Sequence, residues 1–188
     1  MKTVLLHLQK ICIHKYWVAY YCFKCGLYWQ GIIHDLSKFS PIEFWESVKY
    51  YQGTSSPINA AKLDKGYSLA WQHHKGRNPH HYEYWTDNYD TGTTFINIPY
   101  KYLVELVCDY LGAARAYMGN TFTYEAEQKW WENKMHTNIA MNHDCQIFVN
   151  EVFRYLAWHE RMHYSIRNID KLLNKKYLKE LYNTIMYS

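Results

Sequence analysis

The sequence predicts an all-α fold: a single domain of about seven or eight helices spanning residues 1–188. Three observations carry this expectation. Apolar residues recur at spacings of three and four along most of the chain, Pro, Gly or capping residues stand where helices should start and stop, and no pair of alternating runs offers a strand ladder. A chain of 188 residues fits one hydrophobic core, and 48% hydrophobic side chains, 19% of the chain being aromatic, are enough to fill it and exclude intrinsic disorder.

Taken in order, residues 4–23 place Leu5, Leu8, Cys12, Tyr16, Ala19 and Phe23 on a stripe of helical period, and Gly26 follows where a terminating glycine belongs. A shorter helix over residues 27–36 carries His34 and Asp35 near its C-terminal end. Ser40-Pro41-Ile42-Glu43 reads as a capping box with Pro in the first helical position, launching a third helix toward Tyr51. Residues 53–59 form a loop before a helix that runs to His74, after which Gly76 and Pro79 break the chain. Pro99 opens a helix over residues 100–118 that stops at Gly119 and aligns Leu103, Leu106, Tyr110, Ala113 and Tyr117, with Asp109 among them. Helices over residues 124–135, 144–160 and 166–186 complete the chain, and residues 93–98 are the only extended run. Residues 10–120 hold the candidate site, with the helices of 121–188 packed onto it.

Composition narrows the function. Lys and Arg exceed Asp and Glu by 21 to 17 without clustered basic runs, which argues against a long nucleic acid as partner and leaves a small anionic ligand open. Lys10, His14, Lys15 and Lys24 interrupt the most hydrophobic region, so no membrane span is expected; the first residues lack the order of a signal peptide, and a cytoplasmic location is the expectation. Five cysteines without framework spacing point to reduced thiols, and the Cys22-Cys25 pair, set in a helical pattern, reads as helix packing.

The 11 histidines are the unusual feature, since imidazole moves protons and binds metals near neutral pH. Three groupings carry chemistry: His34-Asp35 with Lys38 in HDLSK, the two pairs His73-His74 and His80-His81 in HHKGRNPHH, and Asp109 on an apolar face. Imidazole and carboxylate are the ligand set of Zn, Fe, Mn, Co or Ni. A single buried His is more often a hydrogen-bonded core residue, and Lys38 alone would be a solvated side chain. Asp109, however, shares a face with Leu106 and Ala113, where an unpaired carboxylate would cost several kcal/mol, so a cationic partner is implied. Neighbours on a helix point about 100° apart, so His34 and Asp35 address one place only near a helix end or with two metals side by side. His73 and His80 are too far apart on a straight helix for one ion, but a bend at Gly76 and Pro79 lets the pairs converge.

The order His14, His34-Asp35, His from each later pair, then Asp109 resembles the H…HD…H…H…D pattern of the HD-domain superfamily of metal-dependent phosphohydrolases, and HDLSK is similar to the HD-x-G-K string of its two-metal members, the inositol-oxygenase-like branch included. GLYWQGIIHDLSKFSPIEFW, YYQGTSSP, AWQHHKGRNPHHYEYW and VCDYLGAARAYMG also resemble an uncharacterised family of bacteria and their phages, covering residues 10–120 best. Its members sometimes carry the label catalase, which this chain, short and without a haem-ligand pattern, does not support.

The resemblance implies a compact HD-type helical bundle binding one or two divalent transition-metal ions, with His34, Asp35 and Asp109 as ligands and Asp35 as the bridge between two ions. It puts His14, with His7 as rival, in the role of the first His. One member of each later pair completes the set, His74 and His80 being favoured over the alternates His73 and His81. Ser37 stands where that string has Gly, which bears on the direction of Lys38. The activity implied is phosphomonoester or phosphodiester hydrolysis, with Asp35 and Lys38 catalytic. Lys38, Lys75 and Arg77 would meet the phosphate while Trp71, Tyr82 or Trp85 stacks on a base, making a nucleotide or nucleotide second messenger the expected substrate. Two other readings share these residues: a di-iron oxygenase of the inositol-oxygenase-like branch, and a non-catalytic module that sequesters its ligand.

Overall fold

The computed structural model describes residues 1–90 and 92–187. Its α-helices are α1 (Lys2–Lys24), α2 (Tyr28–Ile33), α3 (Pro41–Lys49), α4 (Pro57–Lys65), α5 (Leu69–Lys75), α6 (Tyr100–Met118), α7 (Tyr124–Met135), α8 (His143–Arg161), α9 (Ile166–Ile169) and α10 (Lys175–Met186). A short 3-10 turn, Leu36–Phe39, separates α2 from α3. The fold is mostly helical, as the sequence predicts, with a two-stranded exception. Thr86–Tyr89 (β1) pairs antiparallel with Gly92–Phe95 (β2) in the register Thr86↔Phe95, a hairpin the sequence reading did not contain. Its strands lie almost wholly at the surface, so no alternating apolar face announces them.

Helix α6 is the axis of the molecule. Ten of its 19 residues are buried, on all sides, because α1 covers one face while α8 and α10 pack on others. The contact with α1 is close because Gly112 has no side chain: a Cβ there would lie 2.4 Å from Val18 Cγ2. One buried apolar cluster runs from Val18 and Tyr21 through Leu103, Leu106 and Leu111 to Phe148, Phe153 and Leu178, so both halves of the chain share a core.

Helices α6 and α7 keep their expected bounds, because Pro99 and Gly119 punctuate the one and the Thr123 side chain caps the other by accepting from Ala126 N. Other expectations are corrected. The expected 59–74 helix is two, since Gly66 adopts φ +76° and ends α4 before Ser68 caps α5. The expected 166–186 helix is likewise divided into α9 and α10, the second capped by Asn174. In α1 the buried face is His7, Ile11, His14, Val18, Tyr21 and Cys22, whereas Leu5, Tyr16 and Phe23 of the expected stripe are exposed. Two histidines turned inward shift the face away from where aliphatic residues alone would put it.

Where α1, α6 and α7 meet α9, Asp170, the C-cap of α9, is a buried carboxylate fully met by the protein. Tyr20 OH donates to Oδ2 at 2.9 Å, Tyr124 OH and Arg115 Nη2 (3.2 Å) donate to Oδ1, and Arg115 Nε donates to Tyr21 OH at 2.8 Å. The Arg115 guanidinium also stacks on Phe122 with 4.1 Å to the ring centroid. This network ties α1, α6 and α7 to the C-terminal segment. Among the described residues no helix is long and apolar enough to cross a membrane.

Candidate metal centre

His34 and Asp35 lie just beyond α2 rather than inside a helix. The amide of His34 still donates to Gln30 O, but its backbone is extended (φ −45°, ψ 127°), and Asp35 follows in the left-handed region (φ 54°, ψ 28°). Asp is among the few non-glycine residues that accept this conformation at modest cost. Lys15 Nζ donates to His34 O and pins the turn to α1. The kink swings two adjacent side chains, which a regular helix would splay by about 100°, onto one interior point.

Two sets of ligand atoms meet there, each within 4.8 Å of one another, and Asp35 belongs to both. In the first set, His14 Nε2 lies 3.4 Å from Asp35 Oδ2 and 3.1 Å from Asp109 Oδ1, and His34 Nε2 lies 3.3 and 3.2 Å from the same two oxygens. In the second, His74 Nε2 and His80 Nε2 approach the other oxygen, Asp35 Oδ1, at 3.3 and 3.4 Å, with His81 beside them. Helix α5 ends at Lys75, and the chain turns through Gly76 and Pro79, so histidines six residues apart reach one carboxylate oxygen.

Buried His14 Nε2, Asp35 Oδ1, His80 Nε2 and His81 Nε2 have no aligned hydrogen-bond partner, and Asp35 Oδ2 is met by the Lys38 ammonium at 2.6 Å. Unpaired buried polar atoms of this kind cost free energy, and here they converge from several elements on the same centre. The donor set, imidazole nitrogen and carboxylate oxygen in two groups with a shared carboxylate, fits a pair of divalent transition-metal ions. Charge is unbalanced accordingly. Burial opposes ionisation of Asp35 and Asp109, yet the facing groups outweigh it: His34 and Lys38 for Asp35, and His14 and His34 for Asp109, hold both carboxyls well below the usual range. Against the same pull of burial, Asp35 lifts His74 to about 8. His81, buried beside His80 and His74, is pushed well below its ordinary value and stays neutral, as a ligand must be.

A supporting layer orients the imidazoles. His34 Nδ1 and His80 Nδ1 face the same atom, Glu105 Oε1, at 3.0 and 3.2 Å, so one carboxylate aligns a histidine from each set. Glu43 Oε2 lies 2.7 Å from His74 Nδ1, while its other oxygen lies 2.5 Å from His73 Nδ1. Glu46 receives the amide of Ala70 (3.1 Å) and the hydroxyl of Ser68 (2.5 Å), fixing the start of α5. For His34, His74 and His80 the contact at Nδ1 turns Nε2 toward the centre, the usual division of labour in a histidine metal site.

Residues 3–155 match the model of a family of unknown function, DUF5662. The chain belongs to that family. No curated protein and no solved structure matches it. The DUF5662 span contains every residue of both ligand sets, together with Glu43 and Glu105, and ends before Asp170.

A cleft of about 640 Å³ opens over the centre of this DUF5662 protein, floored by His14, Lys38, His74, His81 and Asp109. Trp71, Tyr82, Tyr110, Tyr117 and Trp130 supply rings to its walls. Of the residues expected from sequence, His14, His34, Asp35, His74, His80 and Asp109 are brought together, with the alternate His81 among them. His73 is turned to Glu43 instead. His7, the rival of His14, sits in the cleft wall against Phe44 and Tyr51, where burial and then Lys38 push its pKa down to about 4. Lys38 Nζ lies 2.6 Å from Asp35 Oδ2 and lines the cleft, as do Trp71 and Tyr82.

Lys75 and Arg77, expected beside the phosphate, are not among the residues lining the cleft: beyond the turn at Gly76 the exposed Arg77 guanidinium folds back on His73 O at 3.5 Å. Trp85 is also outside the lining; its indole donates to Pro79 O at 2.6 Å. The cations that do line the cleft besides Lys38 are Lys10 and Lys134, the latter held over the rings of Tyr82 (5.2 Å) and Trp130 (5.3 Å). Sequence reading missed these, and Glu43, Glu105 and Glu127 too. Glu105 carried a signal, four residues before Asp109 on the same helix face, whereas Glu43 was hidden by its fit to a capping box.

Proposed function

We propose that this protein is a metal-dependent phosphohydrolase or phosphodiesterase acting on a small phosphorylated ligand, probed best with nucleotides. One ion is assigned to His14, His34, Asp35 and Asp109, and the second to Asp35, His74 and His80 with His81 in reach. The observation that carries the reading is Asp35, which offers one oxygen to each set. The order of these ligands along the chain also supports kinship with the HD-domain superfamily.

A pair of divalent ions bridged by a carboxylate activates water as a nucleophile and neutralises charge on a phosphoryl group. The chain's own groups supply the rest. Lys38, at the cleft floor, is kept charged because Asp35 and Asp109 outweigh the burial that opposes it, and it offers a charge-assisted contact to phosphate. The rings of Trp71, Tyr110 and Trp130 give a planar substituent surfaces to stack on and keep water from the floor. Glu105 and Glu43 hold the imidazole rings in place through a reaction cycle.

The test is elemental analysis of protein purified without added metal, followed by a panel of phosphomonoesters, phosphodiesters and nucleotides with Mn, Fe, Co and Ni. Expected are one to two ions per chain and turnover of a phosphate ester. Lys38→Ala keeps its metal and loses about ten- to a hundredfold in kcat/KM, since a charge-assisted phosphate contact is worth roughly 1.5–3 kcal/mol. No turnover of any phosphate ester by the parent overturns the hydrolase reading, and an iron-loaded protein whose product formation requires O₂ replaces it with the di-iron oxygenase.

A further inference from the structure

The outer side of the α1–α2 corner is apolar and unpartnered. Gly31 presses α2 onto α1, where a Cβ would come within 2.9 Å of the Phe23 ring, and Phe23 in turn touches Tyr28 at 5.7 Å between centroids. Around that contact Tyr28 is 64% exposed, Trp29 67%, Ile32 57% and Leu36 53%, and Phe23 and Ile33 are also exposed. With full areas on the order of 150–250 Å² for side chains of this size, the exposed parts of these six sum to roughly 500–800 Å². That lies at or above the upper end of the largest apolar patch of a typical monomer, about 300–600 Å², and approaches the 800 Å² or so that each partner buries in a standard interface.

The patch also lacks charge. No Lys, Arg, Asp or Glu stands between Lys24 and Asp35. Of the flanking cations, Lys15 is engaged with His34 O, Lys24 lies over the Tyr20 ring at 5.1 Å and Lys38 pairs with Asp35, while the exposed Lys175 lays its stem against Gly26 at the rim. A neutral face with a single lysine at its rim offers little to an acidic partner or an anionic membrane, whereas its size and its lack of internal charge fit a second copy of the same face across a two-fold axis.

We propose that the α1–α2 face is a homodimer interface, in which Trp29, Ile32 and their neighbours pack against the same residues of a second copy of this chain. The inference is independent of the reaction. Its structural consequence is that Ile33 and Leu36, which bracket His34-Asp35, become buried, so the partner braces the ligand-bearing turn from outside.

The experiment is sedimentation equilibrium on the full chain at micromolar concentration, on the parent, Trp29→Asp, Ile32→Asp and, as a control at an exposed apolar site elsewhere, Leu63→Asp. The parent and the control are expected at twice the chain mass of 22.8 kDa, and each interface variant as a monomer with unchanged circular dichroism, dimerisation weakened about a hundredfold or more. A monomeric parent overturns the proposal, as does a dimer that survives both interface substitutions together. A monomeric parent that co-floats with phosphatidylcholine vesicles overturns it in favour of lipid.

Discussion

Two buried polar networks draw on both α1 and α6, and they are built on opposite plans. Around Asp170 each carboxylate oxygen receives protons from the chain itself, from Tyr20 on one oxygen and from Tyr124 and Arg115 on the other, so positive and negative groups cancel locally. Around Asp35 the chain provides carboxylates and a surplus of imidazole nitrogens aimed inward, several of them without an aligned partner. Burial is equal in the two places, Asp170 and Asp35 being 4% and 1% exposed, so burial alone does not tell a brace from a binding centre. What separates them is whether the neighbours complete the carboxylate or present further donor atoms to the same point, as a cluster able to hold a metal does.

Breaking the bridge tests that contrast most severely. Asp35→Ala is expected to strip the metal from both positions at once, bringing metal content close to zero by elemental analysis. In the parent, chelation is expected to lower Tm by on the order of 10 °C, because ions that bind only the folded chain stabilise it by mass action. The variant loses that response. Full metal retention in Asp35→Ala removes the shared-carboxylate assignment.

Asp170→Asn sharpens the comparison from the other side. It leaves Arg115 without its counter-charge in a half-buried position, so a loss of about 3 kcal/mol is expected by denaturant titration, with metal content unchanged. Should this variant also lose its ions, the two networks are one cooperative unit and the distinction fails.

Glu127 gives the smallest effect and the one with a pH signature. Burial, and then the nearby Asp109, push its carboxyl up from 4.5 to about 8. Between those values the unfolded chain gives up this proton and the folded chain keeps it, so the folded state binds more protons and this group's contribution makes stability fall as pH rises from about 4.5 to about 8. In chelator, Glu127→Gln is expected to raise Tm above pH 8 by on the order of 5 °C relative to the parent and to leave it little changed near pH 4.5. Parallel pH profiles for the two proteins refute the assignment.

The sequence made the first layer of the centre legible and concealed the second, for a physical reason. His34-Asp35 and the paired histidines announce themselves because adjacent or repeated ligand residues have few structural uses, and Asp109 because an apolar helix face gives a carboxylate no other reason to be there. Glu43 satisfies a local rule, three residues after an N-cap serine, so its reach across to His73 and His74 on α5 is invisible without the packing of α3 on α5. Helix ends at Pro99, Gly119 and Thr123 are written in local chemistry and were readable; the inward face of α1 depends on His7 and His14 meeting the cleft, which only tertiary contacts reveal.

Gly112 bears on all of this at a distance. Because its missing side chain sets how closely α6 lies on Val18, and His14 stands one turn before Val18 while Asp109 stands three residues before Gly112, the separation of the two helices is also the separation of two ligands. A methyl group at this position would act as a wedge under the cleft floor, far from any ligand atom in chemistry yet directly coupled to it in geometry. The absent side chain of Gly112 is thus a gauge block for the spacing of α1 and α6, on which the 3.1 Å approach of His14 to Asp109 depends.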